Sequence, residues 1–191
     1  MKGEWCYFKA RFDNTMCNRI INDCLSIPSQ DALVGSGSGH VVNEDIRKTK
    51  VRFFNSDDWK YKYIFDEVWK MAIQANHDFF NVHVTKLDFL QFGEYSEDQL
   101  GEYKEHHDVF WLNEDPIYHR KISMVIQLSD PQSYIGGDLQ FTDCMHTPPE
   151  DELRMRGTSV FFPSFFRHRV LPVTRGTRYS LVAWFEGPKW R

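Results

Sequence analysis

Residues 101–108 read GEYKEHHD. Imidazoles and carboxylates this close in sequence can bind a divalent metal if they face one way. On an extended strand, residues i and i+2 project to the same side. His106 and Asp108 would then share a face, with His107 turned to the other. Two ligands fix a metal weakly, so a third is expected from elsewhere. The chain downstream offers His119 in DPIYHRK, His146 in DCMHTPPE and His168 in FFPSFFRHRVLPV. His168 falls directly between two predicted strands, and a strand beside the first could aim it at the same point.

Two imidazoles and one carboxylate make the ligand set of non-haem Fe(II) oxygenases, which leaves three coordination positions open. Zinc hydrolases also use such a set, so it does not by itself choose the metal. Ten residues beyond His168 lies Arg178, at the start of a predicted strand. The chain can turn at TRGT and return antiparallel, which would bring Arg178 deep beside the metal. A buried guanidinium needs a carboxylate, and its fork suits one bidentately. A ligand carboxylate would serve if the protein supplies none. Ser180, two positions on and on the same side, can donate a further hydrogen bond.

The elements that must position these groups follow from hydrophobic period. DNTMCNRIINDCLSI (13–27) places Met16, Ile20, Cys24 and Ile27 along one helical face, with Asp13 or Asn14 as cap. A second helix is predicted over 56–80, capped by Ser56 or Asp57, with Ile64, Val68, Met71 and Ala75 inward. After residue 80 the period changes. Stretches 82–92, 121–129, 136–141, 157–164 and 178–186 read as strands with no helix between them. The expectation is one α+β, mainly β domain over 1–191, with a helical N-terminal part to about residue 80 and a strand part from about 82. Strands in uninterrupted series argue for an antiparallel sheet pair or barrel with helices outside.

At 191 residues the chain can bury one sizeable core. Aromatics reach 16%, and part of that surplus is expected to line a pocket. The formal net charge of −4 gives no sign of bulk nucleic-acid affinity, and the basic stretches IRKTKVR and RHR are short. Cys6, Cys17, Cys24 and Cys144 form no CxxC pair, so a zinc ribbon has little support. The start MKGEWCYFKA lacks the apolar run of a secretory signal, and no run approaches the ~20 apolar residues of a membrane helix. A cytoplasmic, reducing setting with free thiols is the expectation.

GEYKEHHD, RKISMVIQLS, GGDLQF and PSFFRHRVLPVTRGTRYSLVAWF follow one another between about residues 90 and 186. Their order and spacing resemble the 2-oxoglutarate/Fe(II)-dependent oxygenases of the prolyl 4-hydroxylase type, in particular the small branch of bacteria and phages. IRKTKVRFF also resembles a segment that precedes that family's long helix. The resemblance implies a double-stranded β-helix, or jelly roll, with the N-terminal helices packed on one face. It implies Fe(II) on His106, Asp108 and His168, and 2-oxoglutarate chelating the iron through its 2-oxo acid end. The far carboxylate would meet Arg178, with Ser180 or a tyrosine assisting. Tyr95 lies eleven residues before His106, one off the family's commonest spacing, and Tyr103 matches a second family tyrosine. Gln127 and Leu139 fall where the family has pocket-lining residues.

The chemistry so implied is hydroxylation of an unactivated C–H by O2, with 2-oxoglutarate leaving as succinate and CO2 and ascorbate as a candidate reductant. By family, the leading substrate is a prolyl (or other) residue of a peptide or protein. The alternatives are a free amino acid, another small metabolite or a nucleobase. A zinc hydrolase would leave Arg178 unexplained. A catalytically silent jelly-roll binding domain would have no physical reason to keep Arg178 together with the His–Asp–His set. Substrate choice is expected from loops 26–45, 96–102 and 143–156. The first contains GSGSGH (35–40), a candidate lid. His107 and His146 are expected off the site, Arg167 and Arg169 facing solvent or substrate, Cys144 as an apolar filler, and Trp184 and Phe185 in the core.

Overall fold

Asp13 begins the first helix by accepting a 2.7 Å hydrogen bond from the Met16 amide. In the computed structural model, which describes residues 1–34, 41–109 and 118–190, this helix buries Cys17, Ile20 and Cys24 at spacings of three and four. The candidate lid at 35–40 lies outside the described residues. In chain order the elements are β1 (Cys6–Phe8), α1 (Asn14–Leu25), β2 (Gln30–Asp31), β3 (Leu33–Val34), β4 (Val41–Val42), β5 (Arg47–Lys48) and β6 (Lys50–Asn55). Then come α2 (Lys62–Ala75), β7 (Phe89–Ser96), β8 (Glu102–His106), β9 (Tyr118–Gln127), β10 (Tyr134–Gly136) and β11 (Leu139–Phe141). The chain ends with α3 (Glu150–Arg154), β12 (Ser159–Pro163), β13 (His168–Val170) and β14 (Val173–Pro188).

Most of the strands build two stacked antiparallel sheets, and β3 pairs with β4 in a separate two-stranded sheet. The larger runs β1-β12-β9-β14-β7-β6-β2, with β10 added on β14; the smaller runs β11-β13-β8-β5. Leu90, Phe92, Ile122, Met124, Ile126, Leu181, Ala183 and Phe185 of the larger sheet pack with Ile20, Ile64, Val68 and Met71 of the helices. On the opposite face, Tyr95, Val125, Val160 and Phe162 meet Leu139, Phe141 and Val170 of the smaller sheet. The helices α1 and α2 therefore cover one face of the larger sheet, and its second face closes against the smaller sheet, where Leu153 of α3 also packs. This is the expected double-stranded β-helix.

Five expectations need correction. The chain does not turn at TRGT: β14 runs through residues 174–177, and the break after β13 falls at Leu171 and Pro172. The strand series is not free of helix, since α3 stands between β11 and β12. The N-terminal part is not purely helical: it also supplies β1 to β6, and β5 and β6 pair with β8 and β7 beside the histidines. The strand expected over 82–92 begins only at Phe89, and residues 82–88 cross over with one bridge, Lys86 to Glu186. The second helix is not capped by Ser56 or Asp57. Asp58 caps a short 3-10 turn that leads into α2, its carboxylate accepting from the Lys60 amide at 3.0 Å.

Candidate active site

Strand alternation selects which side chains enter the space between the sheets. Along β14, Arg178, Ser180, Val182, Trp184 and Glu186 line one cavity of about 700 Å3. The intervening Leu181, Ala183 and Phe185 face the helices. Along β7 the cavity receives Phe89, Gln91 and Tyr95, while Leu90 and Phe92 turn away. The β9–β14 register shifts between Phe185 and Glu186, where Ile122 and then Arg120 are the partners. One residue, Lys121, is skipped, so Arg120 joins the cavity face with Val125.

His106 ends β8 and His168 begins β13, and the two are direct cross-strand partners. Asp108 follows two residues after the strand, anchored by a 2.8 Å bond from its amide to the Ser164 carbonyl. The ligand atoms of His106, Asp108 and His168 all lie within 4.8 Å of one another. His106 Nε2 is 3.7 Å from Asp108 Oδ1, and His168 Nε2 is 3.7 Å from Asp108 Oδ2. Each Nδ1 sits against a backbone carbonyl, His106 on Lys104 at 2.8 Å and His168 on Phe166 at 3.0 Å. A carbonyl can only accept, so each Nδ1 carries the proton and each Nε2 presents a lone pair. Tyr103 stacks on His106 with ring centroids 3.5 Å apart and fixes the ring plane.

Burial, reinforced by His168, lowers the His106 pKa to about 3, so its imidazole is neutral and free to ligate at neutral pH. Burial opposes ionisation of Asp108, but His168, His106, Arg120 and the Ser123 hydroxyl hold its carboxyl below the usual range. Ser123 Oγ donates to Asp108 Oδ2 at 2.5 Å and lies 3.0 Å from Ser164 Oγ. With one proton per hydroxyl, Ser123 gives its own to the carboxylate and accepts from Ser164. The set thus offers two imidazole Nε2 atoms and one carboxylate, converging from one side. These donors suit a divalent metal such as Fe(II).

Arg178 is 3% exposed and pairs in register with Tyr95 on β7. Its Nε donates to Gln127 Oε1 at 3.1 Å, and its buried Nη1 has no partner. Among the described residues no carboxylate lies within ion-pair range of it. A buried guanidinium with an unmet donor fits the far carboxylate of a bound dicarboxylic acid.

Ser180, Tyr95, Tyr103 and Leu139 line the same cavity as Arg178 and the histidines. Gln127 does not: it stands behind Arg178 in a separate small hollow with Tyr134 and Gly137. His107 was expected to face away, yet it lines the cavity with a buried Nδ1 that has no hydrogen bond, because β8 ends at His106 and alternation stops there. Trp184 was expected in the core, yet it walls the cavity beneath Arg120, whose Cζ is 4.0 Å from the indole centroid. Phe185 is in the core, and His146 is a loop residue whose amide bonds to the Glu4 carboxylate. Sequence reasoning missed Arg120 and Ser123. A lone serine within the apolar run KISMVIQ was the available signal for Ser123, while the bulge that redirects Arg120 leaves none.

Residues 90–186, just over half of the chain, match the 2OG-Fe(II) oxygenase superfamily. The chain belongs to that family, whose cofactors are Fe(II) and 2-oxoglutarate. Among curated relatives, a PKHD-type hydroxylase of Crocosphaera subtropica is 32% identical over 117 residues, covering 59% of this chain and 50% of that protein. The chain spans half or less of the length of the first curated relatives it matches. Among solved structures, a Pseudomonas putida prolyl-4-hydroxylase superposes with a TM-score of 0.69 at 21% identity, over 96% of this chain and 93% of that one. A Trichoplax adhaerens prolyl hydroxylase, in complex with a hypoxia inducible factor peptide fragment, gives 0.72 at 17% identity over 95% and 83%. Both share the fold.

Proposed function

We propose that the protein hydroxylates an unactivated C–H of a peptide or protein substrate, with a prolyl residue as the first target, using Fe(II), 2-oxoglutarate and O2. The observation that carries this reading is one cavity holding both a converging His–Asp–His set and a buried arginine with an unmet donor. In this reading His106, Asp108 and His168 hold the iron, the imidazoles through Nε2. Arg178 takes the far carboxylate of 2-oxoglutarate. Ser180 and Tyr95 share its wall of the cavity and supply hydroxyls, and Leu139 closes the apolar side. Iron and 2-oxoglutarate, when bound, supply the oxidising power, and the co-substrate leaves as succinate and CO2.

The protein's own part is positional. Carbonyls of Lys104 and Phe166 keep the imidazoles in the ligating tautomer, and Ser123 holds the carboxylate. Arg178, buried at 3% exposure, lies at the enclosed end of the cavity, while Phe53 and Tyr118, 40% and 42% exposed, stand at its open end. An aromatic mouth with Phe89 and Trp184 behind it suits a side chain presented on an extended peptide. The peptide held by the Trichoplax relative supports that choice.

The test is to supply Fe(II), 2-oxoglutarate, ascorbate, O2 and proline-containing peptides, with alanine-substituted peptides as controls. Succinate should form in step with the gain of one oxygen atom on the peptide, and neither should form with His168→Ala. Turnover stimulated by free amino acids and by no peptide would overturn the peptide assignment.

A further inference from the structure

Arg178 is held from behind by an amide, not a carboxylate. Gln127 Oε1 accepts from Arg178 Nε at 3.1 Å, while Gln127 Nε2 donates to Tyr134 Oη at 2.9 Å and to the Ser129 carbonyl at 3.4 Å. The orientation of the amide is forced, since a guanidinium only donates and must meet the oxygen. Gln127 is 3% exposed, Tyr134 is 2% exposed, and both lie outside the main cavity. Gly137 completes the socket. Its φ is +67°, and a Cβ there would fall 2.9 Å from Arg178 Cδ and 2.8 Å from Val173 Cγ2. The nearby Asp138 is bound to Arg154, so its charge is already matched. The socket thus fixes the Arg178 stem and one face of its fork without cancelling its charge.

We propose that Gln127 is a positioning residue whose neutrality sets the affinity for the co-substrate. An uncharged acceptor aims the guanidinium and leaves its full positive charge for the far carboxylate of 2-oxoglutarate. A carboxylate at the same place would orient Arg178 equally well but would form a buried ion pair, and the incoming ligand would have to compete with it. This inference rests on the co-substrate reading above.

The experiment measures binding of 2-oxoglutarate and of oxalate by anaerobic calorimetry in the Mn(II)-loaded protein. Oxalate presents a chelating end but no distal carboxylate. Gln127→Glu should weaken 2-oxoglutarate at least about tenfold and leave oxalate and Mn(II) affinity within twofold, with an unchanged circular dichroism spectrum. Gln127→Met keeps the size and the neutrality and loses the acceptor, and should fall between Gln127→Glu and wild type. Wild-type 2-oxoglutarate affinity in folded Gln127→Glu, or equal losses for 2-oxoglutarate and oxalate, would overturn the inference. Should Gln127→Glu not fold, a Gln127→Met that weakens both ligands equally would overturn it in the same way. A wild-type protein that binds oxalate and no 2-oxoglutarate would instead overturn the co-substrate reading, and this inference with it.

Discussion

His106 resists protonation because the site buries it, and that has a cost in acid. The unfolded chain takes up a proton near the ordinary imidazole value of 6.5, while the folded site holds off until about 3. The unfolded state therefore binds more protons through this window, and the metal-free protein should lose stability as pH falls from about 6.5 towards 3. The slope for this one group is at most ~1.4 kcal/mol per pH unit. Thermal melts of chelator-treated protein at stepped pH check this, and a His106→Gln variant should melt with a shallower acid slope. Asp108 depends in turn on Ser123. Ser123→Ala removes a charge-assisted hydrogen bond of ~1.5–3 kcal/mol and should weaken metal binding by roughly tenfold, with Ser123→Thr recovering most of it. A competition titration with a chromophoric chelator measures both. At this scale His106, Asp108, His168 and Arg178 could be picked out as candidates from residue type and spacing, although β8 ends at His106 before Asp108 and β14 runs through TRGT without turning. His107 could not, since the end of a strand is set by pairing and not by local sequence. Gln127 shares the strand of Ser123, and its place behind Arg178 emerges only from three-dimensional packing.

The elements that carry these residues differ in how plainly they announce themselves. β9 and β12 are apolar, β-branched runs expected close to where they lie, whereas β14 begins at Val173, before the expected start at Arg178. β5 and β6 read RK and KVRFFN; their charges masked them, yet Arg47 packs its guanidinium carbon 4.4 Å from the Tyr103 ring centroid and Arg52 pairs with Glu94 at 2.7 Å. Neighbouring strands, rather than intrinsic propensity, make these segments extended. The entry to β12 shows how tightly elements are locked. Gly157 has φ +77°, and a Cβ there would fall 1.8 Å from the Phe12 carbonyl oxygen. The same glycine bonds backbone to backbone with Phe12 and Gln127. Gly157→Ala should cost well over the ~1–2 kcal/mol of the left-handed conformation alone. Denaturant melts should show a clear drop in midpoint with little change in slope.

Across the whole molecule, helices seal one face of the larger sheet and the smaller sheet seals the other, leaving one deep cavity to carry the chemistry. Sheet order was not legible beforehand, because partners such as β1 and β12 lie far apart in sequence. Among the described residues no helix is long and apolar enough to cross a membrane. The thiols report on this packing: burial raises Cys6 and Cys24 to about 12 and Cys17 to about 11. A thiol reagent should label half-buried Cys144 in the native protein, and reach the other three at the rate of unfolding. The account as a whole requires one metal and one oxo acid bound together in the cavity. The direct measurement is anaerobic addition of Fe(II) and 2-oxoglutarate, followed by the weak visible charge-transfer absorption of a chelated iron–oxo-acid complex. The band should grow in with wild type, be absent with His106→Ala, and need far more 2-oxoglutarate with Arg178→Ala. Folded wild-type protein that gives no such band would contradict the account.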